Sequence, residues 1–273
     1  MLQNTPLKWN IDANISFNRN RIGGLKADQF AQKLWSSADE VFIQRNGCPI
    51  GAIYGYVEDG FYDNLAEVMA SPSADIRAKG AGMIGEIKYR NFDDNPDITS
   101  ADRVIIGDTN PDFVYGLTSN FEWKGVTLSF FLQGSQGNDI FNGNLMDMKM
   151  GNVGNITHEA YNTRWTEANA AQAKWPKAVS GYERNMLISN RYVEDGSYLK
   201  LKSLNIGYVW KPNFKGISNV NVYASATNLF TITGYSWFDP EVNAFGSDAS
   251  RRGVDVYSYP SSRTFSLGIK VDF

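Results

Sequence analysis

Ser262-Arg263-Thr264-Phe265-Ser266-Leu267-Gly268-Ile269-Lys270-Val271-Asp272-Phe273 stands at the end of the chain, and its reading decides the fold. Arg263, Phe265, Leu267, Ile269, Val271 and Phe273 take one set of alternate positions; Thr264, Ser266, Gly268, Lys270 and Asp272 take the other. A period of two side chains is a strand's period, so the segment is a strand with one apolar and one polar face. A soluble β-sandwich strand alternates in the same way. A long alternating run that ends on an aromatic is better suited to crossing a thin apolar slab, where about 9–11 residues are enough.

The pattern recurs upstream. From Leu7 to Phe17, Leu7, Trp9, Ile11, Ala13, Ile15 and Phe17 alternate without a fault with Lys8, Asn10, Asp12, Asn14 and Ser16. Pro6 fits just before such a strand, where its missing N–H breaks no ladder. Phe113–Trp123 carries Phe113, Tyr115, Leu117, Phe121 and Trp123 on one face. Lys124-Gly125 makes a tight turn into a strand lined by Val126, Leu128, Phe130 and Leu132. Ser197–Trp210 presents Leu204, Ile206, Tyr208 and Trp210. After a turn with Pro212 and Gly216, Asn219–Phe230 presents Val220, Val222, Ala224, Ala226 and Phe230. Three long segments separate these strands: 18–111, 134–196 and 231–261. The first holds a helix candidate at Asp28–Ser37, a β-like run at Ala52–Val57 and a small polar stretch near Ser71–Gly85. The second holds a helical piece around Glu159–Ala171 and a break at Trp175-Pro176. Segments this long are functional or disordered when they lack structure of their own.

Parity then gives a test. If the short turns face the periplasm, Trp9, Trp123, Trp210 and Phe273 gather at that rim, and Phe17, Phe113, Phe230 and Phe265 gather at the other. Two aromatic girdles are what a membrane barrel requires. The same parity puts 18–111 wholly outside, or has it cross an even number of times.

Composition narrows the class. Hydrophobic residues make up 42% of the 273, and no apolar run approaches the roughly 18 residues of a spanning helix. That excludes a helical membrane protein and leaves a barrel open. A net charge of −3 offers no basic stripe for nucleic acid. One cysteine, Cys48, permits no internal disulfide. Met1–Pro6 lacks the basic and apolar regions of an export signal, so the expectation is the tail of a longer chain.

Several stretches together resemble the C-terminal half of SusC/RagA-type TonB-linked outer-membrane transporters. They are Ile105–Phe113 (IIGDTNPDF) with Tyr115-Gly116, Leu132–Asn142 (LQGSQGNDIFN), Asn190–Lys202 (NRYVEDGSYLKLK), Asn228–Thr233 (NLFTIT), Asp239–Asn243 (DPEVN) and Tyr259-Pro260. The terminal Phe265, Leu267, Ile269, Val271 and Phe273 also resemble the insertion signal of outer-membrane barrels. The resemblance implies an all-β fold: residues 1–273 form the C-terminal portion of an antiparallel, 22-stranded transmembrane β-barrel with long extracellular loops. The family's plug domain, TonB-interacting segment and signal peptide have no counterpart among these residues. It further implies import of large nutrients, glycans or peptides, with a SusD-like surface lipoprotein as lid and the TonB complex as energy source. The reading from another class is a secreted carbohydrate-binding or adhesive β-domain without transport.

Candidate ligand residues lie in the last loop. Tyr235, Trp237, Phe238, Tyr257 and Tyr259 offer flat faces for sugar rings, and Arg251 and Arg252 can bond hydroxyls or carboxylates. Packing of the loops is the competing use of these side chains, and of Trp165 and Trp175. Asn91, Asp93, Asn95, Asp97, Thr99 and Asp102 have the spacing of a calcium loop that relatives of this type carry. Pro96 stands where such a loop wants glycine, and Asp102 is shorter than the bidentate Glu. A polar external turn is the alternative there, and no cofactor is expected. His158, the only histidine, has no nucleophile or metal set around it, and no catalytic residue is assigned.

Overall fold

A computed structural model describes residues 6–33, 40–150, 155–179, 183–213 and 216–273. Its frame is a six-stranded antiparallel sheet. The strands are β1 (Leu7–Ser16), β2 (Phe113–Trp123), β3 (Val126–Gln136), β4 (Tyr198–Trp210), β5 (Asn219–Thr233) and β6 (Thr264–Asp272). Each pairs with the next in chain order, which is an up-and-down meander. The two-residue turn at Lys124-Gly125 has φ of 48° and 87°, the left-handed pair that matches the twist of a hairpin.

Residues directly opposite across a ladder share a face, so the register shows whether the apolar sets coincide. They do. One row across the sheet reads Trp9, Phe121, Leu128, Ile206, Ala224 and Leu267; its neighbour reads Ile11, Ser119, Phe130, Leu204, Ala226 and Phe265. Ser119 is the polar member, and its hydroxyl accepts the Trp9 indole N–H at 2.9 Å. The opposite face pairs Asn10 with Asn120, Asp12 with Thr118, Asn205 with Ser129, Thr127 with Gly207 and Lys270 with Asn221. The apolar face stays open: Leu267 is 88% and Ile269 70% exposed. Trp9, Trp123, Trp210 and Phe273 stand near the short-turn end. Phe17 and Phe113, ring centroids 5.8 Å apart, stand at the long-loop end.

The parity of β4 needs one correction. Leu199 and Leu201 lie at odd positions, yet they join the even-numbered Leu204, Ile206 and Tyr208 on the apolar face. Against β3, Leu201 faces Leu132 and Ser203 faces Phe131, so Lys202 is one residue extra. This β-bulge switches the face without ending the strand.

The long segments are folded. No described residue of 18–111 enters the main sheet, since β1 pairs directly with β2. Gln29–Lys33, Glu40–Gln44, Ala52–Gly55 and Val104–Asp108 form a four-stranded sheet, and Glu58–Phe61 pairs with Ile87–Tyr89. The helix expected at Asp28–Ser37 is therefore a strand over Gln29–Lys33, because pairing with Glu40–Gln44 overrides local propensity; 34–37 lie outside the described residues. The small polar stretch holds a short helix, Ala74–Lys79, capped by Ser73, and another, Leu65–Ala70, capped by Asn64, lies just before it. The helix expected over Glu159–Ala171 stops at Thr163. There Arg164 turns extended, and Trp165 enters the core with its N–H on the Trp175 carbonyl at 2.7 Å.

All three segments contribute to one core. Val193–Asp195, Asp139–Asn142 and Val254–Asp255 form a three-stranded sheet. Phe42, Ile53, Ile87, Phe141, Ile188 and Tyr192 are buried together. Each such side chain is worth about 1.5–3 kcal/mol of burial. The loops thus make a folded cap beyond one end of the sheet.

Candidate functional site

The cap meets the sheet through the polar face. Lys200 on β4 is 1% exposed. Its ammonium bonds Asp239 Oδ1 at 2.8 Å and also reaches Glu241 Oε2. Lys202, the bulge residue, reaches both Glu241 oxygens at 3.0 and 2.9 Å, and the Tyr198 hydroxyl donates to Oε1 at 3.1 Å. Two cations and two anions tie the last loop to the strand. Burial pushes both carboxyls up in pKa, but the hydrogen bonds from Lys200, with those from Ser261 or Lys202, outweigh it and hold both below their usual range.

A second anchor joins the first two loops. Glu58 accepts from Arg191 Nε at 2.8 Å and from the Ser189 hydroxyl at 2.9 Å, and the Arg191 guanidinium lies 5.2 Å from the Trp175 ring centre. Glu194 receives Asn142 Nδ2, the Ser236 hydroxyl and the Ser236 N–H, each at 2.8 Å. The distinctive Asn190–Lys202 stretch is therefore structural: its charged side chains clamp loop to loop.

The expected ligand residues divide into two groups. Trp165, Trp175 and Tyr235 are buried, with Trp165 donating to Asp63 at 2.8 Å and the Tyr235 hydroxyl to Asp255 at 2.8 Å. These three side chains pack inward. Trp237 and Phe238 pack edge to face at 5.2 Å, with Phe238 exposed. Arg251 bonds Asp248 at 2.7 Å, and Arg252 bonds Asn110 at 2.9 Å. Tyr257 and Tyr259 are exposed beside a cleft of 460 Å³.

The spacing at Asn91–Asp102 folds as a string of side-chain turns. Asn91, Asp93 and Asn95 each accept the N–H two residues on, at 3.0, 2.8 and 3.1 Å. Asp97 accepts from the Ser73 hydroxyl. Asp102 is buried, and its two oxygens take the N–H groups of Phe92 at 2.7 Å and Thr99 at 2.8 Å, closing a capping box. Asp102 thus caps the short helix Ser100–Asp102, at the position where a calcium loop would place its twelfth residue. Among the described residues, no cluster of three metal-ligating side chains occurs. His158 is exposed beside Asn162, and Cys48 is a free thiol. Lys200, Lys202, Asp239 and Glu241 carried no assigned role at the level of sequence. The alternation of lysine with leucine in Leu199-Lys200-Leu201-Lys202 was the available signal.

An open meander with lipid-ready and polar faces, girdled by aromatics and topped by folded loops, is a segment of a transmembrane β-barrel. No family model matches the chain. Among curated proteins, TonB-dependent receptor P3 of Formosa agariphila is 34% identical over 288 residues; the match covers 100% of this chain and 27% of the receptor. TonB-dependent receptor SusC of Bacteroides thetaiotaomicron is 26% identical, with 97% of this chain and 24% of SusC covered. Of the solved structures, the RagAB peptide importer in its open-open state aligns at a TM-score of 0.73 and 20% identity, covering 100% of this chain and 27% of that one. The chain spans about a quarter of the length of these relatives. By sequence and fold it is related to TonB-dependent receptors of the SusC/RagA type, and it is an outer-membrane protein. The relatives named here are receptors and importers rather than enzymes.

Proposed function

We propose that these 273 residues form the C-terminal portion of the barrel of a TonB-dependent importer of large nutrients, glycans or peptides. The observation that carries this reading is the coincidence, across all six strands, of the apolar set on one face and the polar set on the other. The apolar face meets lipid and the polar face lines the lumen. The two edges, β1 and β6, pair with further strands of the same barrel, because an edge left open in lipid strands its backbone amides. The folded cap faces outward, where a SusD-like lipoprotein closes over the barrel and hands cargo to it; the TonB complex drives release inward. SusC and RagAB, to which the chain is related, support both partnerships.

A secreted adhesive or carbohydrate-binding β-domain fits less well, since Leu267 at 88% and Phe265 at 69% exposure would face water. The test is expression of the full-length protein in a Gram-negative host. Recovery in the detergent-soluble outer-membrane fraction, with uptake that fails when the TonB complex is deleted, is the expected result. A monodisperse protein released into detergent-free buffer would return the secreted reading.

A further inference from the structure

We propose that the short-turn rim around Lys124 and Lys211 holds the phosphate of an anionic glycerophospholipid, of which phosphatidylglycerol is the type. The inference rests on the importer reading, which turns this rim to the periplasm and so to the phospholipid leaflet of the outer membrane. It adds a partner that the importer reading does not contain.

Tryptophan and lysine are neighbours in sequence three times at this end of the sheet: Lys8-Trp9, Trp123-Lys124 and Trp210-Lys211. All three indoles belong to the apolar set, and each is nearly half exposed. Tryptophan rings on a membrane-facing surface sit at the level of the headgroups. A lysine beside one therefore stands at the depth of the lipid phosphate. The three lysines differ in what they already bond. Lys8 reaches both oxygens of Glu122, at 3.2 and 3.3 Å. Among the described residues, Lys124 and Lys211 have no carboxylate partner. The Lys124 ammonium lies 5.1 Å from the centre of the Trp123 ring, so its charge is held beside a lipid-facing side chain.

The two free lysines share one site. The Gly125 carbonyl accepts the Val209 N–H at 2.8 Å, which sets the β2–β3 turn against the end of β4. Both lysines line a concavity of about 600 Å³ there. Its two carboxylates, Glu122 and Asp272, are already bonded by Lys8 and by Lys270, the latter at 3.2 Å. Lys124 and Lys211 are thus surplus positive charge at a membrane rim. A soluble anion would use these cations alone. A lipid also uses the apolar rows that continue from them into the bilayer: Trp123 faces Val126, Val126 faces Tyr208, and Leu128 faces Ile206 in the next row. Its phosphate meets the lysines while its acyl chains lie on Val126, Leu128 and Ile206. A zwitterionic headgroup brings an ammonium that the same lysines repel, so the anionic headgroup is preferred.

The test uses the full-length receptor in detergent, titrated with phosphatidylglycerol or with phosphatidylethanolamine and read by native mass spectrometry. Phosphatidylglycerol should be retained about tenfold more strongly. Lys124→Gln with Lys211→Gln should erase that preference, and the paired Lys→Arg changes should keep it. Lys79→Gln, the same loss of charge at an exposed position of the cap, should leave it unaltered. All variants are first checked for the heat-modifiable barrel. Equal retention of the two lipids by the wild type overturns the proposal, and is also what an acidic segment of the full-length chain resting on these lysines would give. An unchanged preference in the paired Gln variant, the same loss in Lys79→Gln, or displacement of the lipid by excess inorganic phosphate overturns it too. Uptake indifferent to deletion of the TonB complex counts against the importer reading, while the lipid preference is read without it.

Discussion

Single residues carry the facing of the sheet. Leu267 and Ser266 are adjacent on β6 and point to opposite faces, so the same charge at each asks which face meets lipid. Leu267→Lys should cost about 2–4 kcal/mol near the midplane, and Ser266→Lys much less. Urea unfolding of the full-length barrel in lipid reads the difference, and equal costs would reverse the assignment. Lys200 is a different kind of residue, since it neutralises two carboxylates from a distant loop. Lys200→Met leaves Asp239 and Glu241 facing each other with Lys202 alone, and should destabilise the cap by about 3–5 kcal/mol. The pH dependence follows from the lowered pKa values. A carboxylate whose folded pKa is depressed contributes stability above its unfolded value and loses it as pH falls through the folded one. Ordinary values here are 3.8 for Asp239 and 4.5 for Glu241. The gap between wild type and Lys200→Met, read by protease resistance of the cap, should be full above about pH 5 and narrow progressively below it.

At the level of elements, strand identity was legible and strand detail was not. A faultless alternation such as Leu7–Phe17 leaves one register that keeps every apolar side chain on one face. β4 breaks that rule inside a single strand, because its leucines at 199 and 201 share a face with Leu204 across an odd spacing. The bulge at Lys202 reconciles them, and it also puts that lysine where Glu241 can reach it. Deleting Lys202 should remove the bulge and leave Leu199, Leu201 and Leu204 in regular alternation on the apolar face, so the barrel should still reach its heat-modifiable form on gels and lose only the Lys202–Glu241 contact. Lys202→Ala keeps the residue count and should still assemble. The short helices and strands of the loops carried weaker signals. Gln29–Lys33 has no pattern that distinguishes it from a helix until Glu40–Gln44 lies beside it.

For the whole molecule, the main consequence is that the loops fold as a unit. Ile53 from the first loop, Phe141 and Ile188 from the second and Val254 from the third share one core, so no loop folds alone. Ile53→Ala should cost about 2–5 kcal/mol there. It should open the cap to trypsin on intact cells while leaving the heat-modifiable barrel unchanged; parallel loss of both would mean the two parts fold cooperatively. The sequence by itself determined the sheet, its two faces and the rims of aromatic residues, because a period of two is written residue by residue. It also singled out Tyr257 and Tyr259, but set them level with Trp165, Trp175 and Tyr235. Only the tertiary structure separated the exposed pair from the buried three and joined Lys200 to Asp239. Those outcomes depend on contacts between segments tens to more than a hundred residues apart, and local pattern does not encode such distances.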